Sequence, residues 1–343
     1  MQDTFPIHTD DKPGRTLRMN GRDYLFFSGY AYLGMNHVPA FTDLVKEGIE
    51  KYGLSFPSSR ISNTRLSLFE AMEQLLSSIT NQQATVCMAS GFSAGTLANT
   101  LLSPAVLAAP GTHPAVYKGV SPLPDESSWQ VAVHTAAGKA PTAFVADAVN
   151  IFQPGIRDFS FLKGLDSVTA LIDDSHGIGI TGIDGSGVTG TLPHGPAYII
   201  TYSLSKAFNL VGGAISCSQE QASQLRSLPE YTAATSLSPA YVYAFIQGQP
   251  LYQQQRKQLL HNMQLFAQMT ASIPGILHHP QLPVFVLPDT VSEQLLLERH
   301  IIISSFAYPT PESKKIKRVV INALHTEQDL QQLATTLHQL SGS

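Results

Sequence analysis

Two apolar runs in the middle of the chain both end in reactive polar side chains. The first run ends in Asp173, Asp174 and His176, and the second, residues 197–200, leads through hydroxyl residues to Lys206. The loop that follows the first run is dense in glycine, at positions 177, 179, 182, 185 and 187. Ligands of open α/β sheets gather at the carboxyl ends of the strands. The pattern therefore predicts one crevice that holds an acid, an imidazole, hydroxyls and an amine.

Composition narrows the classes of function. Of the 343 residues, 43% are hydrophobic and 13% are charged, which indicates a soluble protein with much hidden surface. The net charge of −4 is not concentrated in a tail, so nucleic-acid and membrane binding are not predicted. Cys87 and Cys217 are the two cysteines, which argues against a disulfide framework or a cysteine metal site. No signal peptide or apolar run of ~18 residues is present, and the expected compartment is the cytoplasm.

A second site signal follows the predicted strand at residues 85–88. Ser90, Gly91 and Phe92 then open a predicted helix. The first N–H groups of a helix lack intrahelical acceptors and favour anions. We therefore expect a phosphate here, and an ordinary turn between strand and helix is the alternative.

Other elements follow from local patterns. Asn20-Gly21 between alternating segments predicts a hairpin in an N-terminal arm. A long helical stretch is predicted over residues 241–272, and strands over 284–287 and 319–322. Thr326 is expected to begin the final helix, with Asp329 at the capping-box position.

The order of the motifs resembles one family of enzymes. Residues 32–34, 90–92, 173–177 and 203–206 read Tyr-Leu-Gly, Ser-Gly-Phe, Asp-Asp-Ser-His-Gly and Ser-Leu-Ser-Lys. This series is similar to that of the pyridoxal-phosphate-dependent α-oxoamine synthases, which include 8-amino-7-oxononanoate synthase and glycine C-acetyltransferase. The resemblance extends over residues 24–340, nearly the whole chain.

The resemblance implies an α/β architecture, the fold-type-I pyridoxal-phosphate-dependent transferase. A large domain would hold a mostly parallel, seven-stranded-type sheet between helices, and a smaller C-terminal α/β domain would follow. The expected boundaries are 1–50 for the N-terminal arm and small-domain segment, 51–245 for the large cofactor-binding domain, and 246–343 for the small domain. Relatives are homodimers with sites at the interface, so a homodimer is expected here.

Four residues would act on the pyridoxal 5'-phosphate ring if the resemblance extends to the site. Lys206 would form the Schiff base and later act as a base. Asp173 would pair with the pyridinium nitrogen, and His176 would bond the phenolic oxygen. His113 stands where relatives stack a histidine on the ring. Asp174 points to the other side of its strand and is expected to support the structure.

The remaining cofactor contacts are assigned from the same motifs. Ser203 and Ser205 are phosphate candidates, with a helix N-cap as the alternative for either. Thr235 lies in a segment that in relatives reaches the phosphate of the partner subunit. Asn150 would replace a serine that relatives place at Ile151. The predicted cofactor-binding set is thus Ser90, Gly91, Phe92, Ser203, Ser205, Thr235 and Asn150, with no metal.

The predicted substrate side combines one match with several departures. Arg318 stands where relatives hold the substrate carboxylate with a forked guanidinium; the alternative is a surface arginine beside three lysines. Tyr30 replaces an asparagine that shapes the substrate pocket in relatives. Ser67 and Ile151 also depart from the family pattern, and the N-terminal arm, which relatives use near coenzyme A, is short.

The implied reaction joins a small amino acid to an acyl thioester such as an acyl-CoA. It would proceed through a Lys206 aldimine and a quinonoid, with or without loss of CO2. Two alternatives remain open. One is an aminotransferase that uses the same cofactor site. The other is a non-catalytic binding protein of the same fold, which would have no need of the amine of Lys206.

Overall fold

A computed structural model describes residues 7–102, 106–117, 119–307 and 312–341. The strands are β1 (Thr16–Met19), β2 (Arg22–Phe27), β3 (Ala84–Met88), β4 (Val106–Ala108), β5 (Thr142–Asp147), β6 (Val149–Asn150), β7 (Gly155–Ile156), β8 (Val168–Asp173), β9 (Ala197–Ser203), β10 (Gly213–Cys217), β11 (Leu277–His278), β12 (Val284–Val286), β13 (Ile301–Ala307) and β14 (Lys315–Val320). The helices are α1 (Pro39–Tyr52), α2 (Ser67–Thr80), α3 (Gly91–Ala98), α4 (Pro114–Tyr117), α5 (Glu126–Ala137), α6 (Gln219–Ser227), α7 (Pro229–Thr232), α8 (Pro239–Gln247), α9 (Gln249–Thr270), α10 (Glu293–Glu298) and α11 (Glu327–Ser341).

The chain divides into two compact units. The first comprises Met1–His37, Ile151–Gly155 and Gln254–Ser343, and the second comprises Val38–Asn150 and Ile156–Gln253. These units describe packing, and the domain boundaries given above stay a prediction. No helix in the described part of the chain has both the length and the apolar character that a bilayer crossing requires.

The second unit is built on a mostly parallel sheet. Its described strands follow the order β3-β10-β9-β8-β5-β4. Strands β9, β8, β5 and β4 pair in parallel, whereas β10 runs antiparallel to both of its neighbours. The mostly parallel character agrees with expectation, with six described strands in place of the seven-stranded type.

Most residues in the strands of this sheet are buried, on both of its faces. Every residue of β3 and β10 is buried, and the side chains of Val145, Leu171 and Ile199 have no exposed surface. These apolar residues pack in one core cluster with residues of α3 and α6. A parallel sheet covered by helices on its faces requires such continuous apolar runs, and the core makes the strand ends a firm support.

The register of three parallel strands brings their carboxyl ends together. Asp147 at the end of β5 lies beside Asp173 at the end of β8, and Asp173 lies beside Thr201 of β9. The strand ends that were predicted to share a crevice are therefore neighbours, and β5 adds a second carboxylate beside them.

The first unit contains the other sheet, in the order β1-β2-β13-β14-β12-β11. Its first hairpin turns at Asn20 and Gly21, whose φ angles are 52° and 74°. Two successive positive φ angles define the type I′ turn that Asn-Gly favours. The predicted hairpin is confirmed, whereas β14 begins four residues before the strand expected at 319–322.

Helix ends follow local chemistry. The Thr326 N–H donates to Asp329 Oδ2 over 2.8 Å, and the Asp329 N–H donates to Thr326 Oγ1 over 3.3 Å, so the predicted capping box is confirmed. The helix expected over 241–272 is wrong in its continuity, because α8 ends at Gln247 and α9 begins after Gly248. Glycine favours a helix end, and Pro250 suits the first turn of a new helix because it lacks an N–H.

His325 is a buried, neutral histidine within the first unit. Its Nε2 lies 3.1 Å from the Phe26 carbonyl, its Nδ1 accepts the Asn322 N–H over 3.0 Å, and its ring stacks on Phe27. Only 2% of its surface is exposed, and burial lowers its pKa to about 4. The neutral form is therefore the one that the fold accepts.

We expect acid to destabilise the protein through His325. In the unfolded chain a histidine titrates near its ordinary pKa of about 6.5. Below that pH the unfolded state binds a proton, whereas folded His325 stays neutral until the pH approaches its lowered pKa. The stabilisation from neutral His325 is therefore complete above the unfolded pKa and declines as the pH falls toward the folded pKa. Between about pH 7 and pH 5 the free energy of unfolding should decline by roughly 2 kcal/mol from this group.

Urea unfolding of the protein and of His325→Gln at both pH values measures this contribution. The variant should be less stable at the higher pH and should lose roughly 2 kcal/mol less on acidification. Equal losses in the two proteins would contradict the assignment.

Candidate active site

Lys206 lies on a tight loop that follows β9. The Leu210 N–H donates to the Leu204 carbonyl over 3.0 Å, which closes the loop around Lys206. Asn209 adopts a positive φ of 54°, and its side-chain amide donates to the Lys206 carbonyl over 3.3 Å. Gly179 packs against this loop, since an added Cβ would lie 2.9 Å from the ring of Phe208. The backbone of Lys206 is thus held from both sides.

The amine of Lys206 contacts the imidazole of His176. Lys206 Nζ lies 2.9 Å from His176 Nε2. Burial lowers the pKa of Lys206 below its ordinary value, while the carboxylates of Asp173 and Asp147 oppose that shift. A lowered pKa increases the fraction of the amine that is unprotonated at neutral pH, and the unprotonated form is the one that acts as a nucleophile or a base.

Two carboxylates from neighbouring strands face this amine. Asp173 Oδ1 accepts the Ser175 N–H over 2.8 Å, and Ser175 Oγ in turn accepts the Ser203 N–H over 2.9 Å. Asp147 Oδ1 accepts the His113 N–H over 3.0 Å. Burial, followed by the charge of Asp173, raises the pKa of Asp147 to about 8. Asp173 thus accepts from the backbone just after its own strand, whereas Asp147 accepts from the turn before α4.

Asp174 has a structural position, in agreement with strand alternation. Its side chain is fully buried beneath the glycine-rich stretch, and Oδ2 accepts the Val188 N–H over 2.8 Å. Burial raises its pKa to about 8. Asp174 thus joins the end of β8 to residues after the glycine-rich stretch instead of facing Lys206.

A cradle of small residues forms where α3 begins. Ser90 caps the helix by accepting the Ser93 N–H over 3.0 Å. Gly91 touches Ser203, since an added Cβ would lie 2.7 Å from the Ser203 Cβ. Ser203 Oγ lies 2.7 Å from Ser205 Oγ. The first helical N–H groups and three hydroxyls therefore meet beside the Lys206 loop, in an arrangement suited to an anion.

Ser203 and Ser205 are not helix N-caps, and Ser90 lies in a turn between a strand and a helix. No helix begins at Ser203 or Ser205 in the described residues, so the N-cap interpretation is wrong for both. The turn at Ser90 is a strand-to-helix turn, but it contacts the strand that leads to Lys206. Phe92 is 60% exposed at the start of α3.

His113 stands at the start of α4 with both its backbone and its ring anchored. Its Nδ1 accepts the Ala115 N–H over 3.1 Å, so in the neutral ring Nε2 carries the proton. Burial lowers the pKa of His113, Asp173 opposes that shift, and Lys206 adds to it. His113 thus belongs to the same cluster of charges as Lys206 and Asp173.

Arg318 and Tyr30 belong to the first unit. Arg318 is 1% exposed, so the alternative of a surface arginine is wrong. Its guanidinium lies 5.0 Å from the ring centroids of both Phe152 and Phe306, and Nε has no hydrogen-bond partner among the described residues. Tyr30 packs edge-on against Tyr32, whose hydroxyl lies in the field of Arg318. A buried guanidinium that forms no ion pair with a carboxylate of the described residues favours an anionic ligand.

The structure brings most of the predicted site residues together. Lys206, His176, Asp173, His113, Ser90, Gly91, Ser203 and Ser205 are joined in the second unit by the contacts described above. Asn150 and Thr235 are exposed side chains of that unit. Asp147 and Ser175 were not predicted as site residues. Their signal was a polar residue at or just after an apolar strand, but sequence alone did not indicate which strands are neighbours.

The arrangement combines three chemical capabilities in one unit. The amine of Lys206 can attack a carbonyl or move a proton, and the imidazole of His176 can exchange a hydrogen bond with it. Asp173 can hold a cationic ring nitrogen. The cradle at the start of α3 can hold a phosphate.

Comparison with known proteins agrees with this geometry. The family model described as aminotransferase class I and II matches residues 161–337, more than half of the chain. The chain is 23% identical over 354 residues to 8-amino-7-oxononanoate synthase of Buchnera aphidicola subsp. Baizongia pistaciae, which covers 95% of this chain and 91% of the relative. It is 26% identical over 356 residues to the protein of the same name from Thermosipho melanesiensis, with 94% and 90% covered.

A solved structure shares the fold. The serine palmitoyltransferase of Sphingomonas wittichii superposes with a TM-score of 0.80 at 18% identity, covering 99% of this chain and 92% of that one. At this level of identity the likeness concerns the fold.

Proposed function

Because the chain belongs to the aminotransferase class I and II family, we propose that it joins a small amino acid to an acyl thioester as an α-oxoamine synthase. The observation that carries the proposal is the 2.9 Å contact of Lys206 with His176 beside the carboxylate of Asp173. Relatives named as synthases favour this reaction over transamination.

Four predictions from the sequence are confirmed. The family is that of the pyridoxal-phosphate-dependent α-oxoamine synthases, and the fold is that of the fold-type-I transferases. The chain is a transferase, and its cofactor is pyridoxal phosphate. The role of each site residue, the homodimer, the use of coenzyme A and the cytoplasmic location stay predictions.

The residues present fit pyridoxal phosphate. Gly91 lets the start of α3 pack directly against Ser203, because an added Cβ would lie 2.7 Å from the Ser203 Cβ. This packing brings the first N–H groups of α3 beside the hydroxyls of Ser203 and Ser205, which suits a phosphate. Lys206, Asp173 and His113 supply an amine, an acid and a planar imidazole in the same cluster. When bound, the cofactor supplies a carbonyl for the amine and a ring that accepts electrons from the substrate Cα.

Lys206 is the group that we assign to proton transfer. Burial lowers its pKa and so favours the neutral amine, which is the form that can take the proton from the substrate Cα. His176 orients the amine through their shared hydrogen bond and can also bond a ring oxygen. Asp173 favours a protonated ring nitrogen by its charge, and Ser175 fixes that carboxylate by donating its N–H.

Arg318 is the group that we assign to the amino-acid carboxylate. A buried guanidinium has five donors in a fork that matches a carboxylate. Two phenyl rings lie 5.0 Å from the Arg318 guanidinium, and its buried Nε has no hydrogen-bond partner among the described residues, which leaves that donor for a ligand. Tyr30 would then influence which amino-acid side chains are accepted.

The atoms of the proposed reaction balance without an added oxidant. A bond forms between the amino-acid Cα and the acyl carbon, and the thiolate leaves. Loss of CO2 then gives an aminoketone, whereas its retention gives an amino-oxo acid. We infer an acyl-CoA as the thioester and a homodimer in which Thr235 approaches the phosphate of the other subunit, as the resemblance to the α-oxoamine synthases implies. Thr235 is exposed, so a second subunit could reach it.

A matrix of amino acids and thioesters tests the proposal. The protein loaded with pyridoxal phosphate is mixed with glycine, alanine or serine, each with and without short-chain and long-chain acyl-CoAs. Released thiol and CO2 are measured. We expect thiol release that requires both an amino acid and a thioester.

Two results would overturn the proposal. Amino-group exchange with a keto acid, without thiol release, would select an aminotransferase. A cofactor spectrum that no amino acid changes would select a binding protein.

A further inference from the structure

We propose that Asp147 is a positioning residue that fixes the imidazole of His113 toward Lys206 and Asp173 by accepting the His113 N–H. The inference rests on the proposed function only in so far as His113 contacts the cofactor ring. Its structural content concerns residues of the second unit and can be measured in the free protein.

Two hydrogen bonds hold His113, and they act on different parts of it. The backbone N–H donates to Asp147 Oδ1 over 3.0 Å, and ring Nδ1 accepts the Ala115 N–H over 3.1 Å. The first bond fixes the position of the His113 backbone, and the second fixes the rotation of its imidazole ring. Without the first bond, the ring and the start of α4 would shift together.

Asp147 can act as an anchor because it is itself held. It ends β5, where it pairs with Asp173 of the central sheet. Arg157 donates from Nε to the Asp147 carbonyl over 2.9 Å and from Nη2 to the Pro110 carbonyl over 2.8 Å. Arg157 also forms an ion pair with Glu126. The strand end and the turn before His113 are therefore joined twice, by Arg157 and by the carboxyl of Asp147.

An uncharged acceptor satisfies this geometry. Burial and the neighbouring charge of Asp173 raise the pKa of Asp147, while the His113 N–H, Lys206 and Arg157 oppose that shift. A carboxyl that keeps its proton near neutral pH still accepts through its carbonyl oxygen. Asparagine has the same shape and the same acceptor, so Asp147→Asn retains the anchor and Asp147→Ala removes it.

The test compares both variants with a matched control. Asp125→Ala removes a carboxylate that likewise accepts a backbone N–H over 2.8 Å, at the start of α5 and outside the cluster. The ring ¹⁵N shifts of His113, identified by their loss in His113→Gln, are followed through a pH titration of the protein without cofactor. The dissociation constant of pyridoxal phosphate is measured in parallel.

Because burial is the main cause of the lowered pKa of His113, we expect Asp147→Ala, which releases the residue from its position, to raise that pKa toward its ordinary value. Cofactor binding should weaken roughly tenfold, as for a lost buried hydrogen bond. Asp147→Asn should leave both quantities within about twofold of the original protein, and Asp125→Ala should change neither.

Three outcomes would overturn the inference. They are an unchanged His113 titration in Asp147→Ala, equal effects of Asp147→Asn and Asp147→Ala, and an effect of Asp125→Ala as large as either. If Asp147→Ala does not fold, Asp147→Ser takes its place, because a serine hydroxyl is too short to reach the His113 N–H. Failure of all thioesters as substrates, with His113 perturbed as expected, would reject the proposed function and leave this inference intact.

Discussion

Lys206→Ala is expected to abolish covalent attachment of pyridoxal phosphate and to lower the rate of thiol release by roughly 10⁴-fold or more. The amine is the attacking group and the base in this account, and its partner His176 cannot replace it as an amine. The loop around Lys206 is closed by its backbone and by Asn209, so the variant should remain folded. Cofactor absorbance, circular dichroism and the rate of thiol release measure these three effects.

Lys163→Ala is the matched control. Lys163 is an exposed lysine of the same unit, and its removal should change neither the absorbance nor the rate. A Lys206→Ala protein that keeps the original cofactor spectrum would reject Lys206 as the attachment site.

Asp173→Asn should reduce the rate roughly 10²- to 10³-fold while the cofactor remains bound. The amide keeps the oxygen that accepts the Ser175 N–H but loses the charge that favours a protonated ring nitrogen. Electron withdrawal from the substrate Cα then weakens. Steady-state rates and the rate of exchange of the amino-acid α-proton with solvent measure the loss.

Asp174→Asn separates this electrostatic effect from a general loss of an acid. Asp174 is the next residue, but it is buried under the glycine-rich stretch and bonded to the Val188 N–H. An amide retains that bond, so the rate should change less than about threefold. Equal losses in the two variants would show that position in β8, and not the charge facing the ring, accounts for the effect.

The sequence predicted the strand ends well because the signals were local. An apolar run that ends in polar residues marks both a buried strand and the edge where its ligands gather. The cap at Thr326 and the turn at Asn20 depend on residues within one turn of each other, and both are present. Such features need no knowledge of distant neighbours.

Features that depend on neighbours in space could not be predicted in the same way. Asp147 acquires its role because β5 lies beside β8, which the sequence order does not specify. Arg318 was predicted from the resemblance to hold the substrate carboxylate, but the sequence could not exclude the alternative of a surface arginine beside three lysines. That alternative is excluded by the position of β14 between β12 and β13, where the strand is buried from Arg318 to its end.

Reduction of the cofactor-loaded protein with borohydride, followed by digestion and mass mapping of the peptides, tests the central claim most directly. We expect one phosphopyridoxyl group per chain, on the peptide that contains Lys206, and none in Lys206→Ala. A label on another lysine, or no label in a protein that holds the cofactor, would contradict the account.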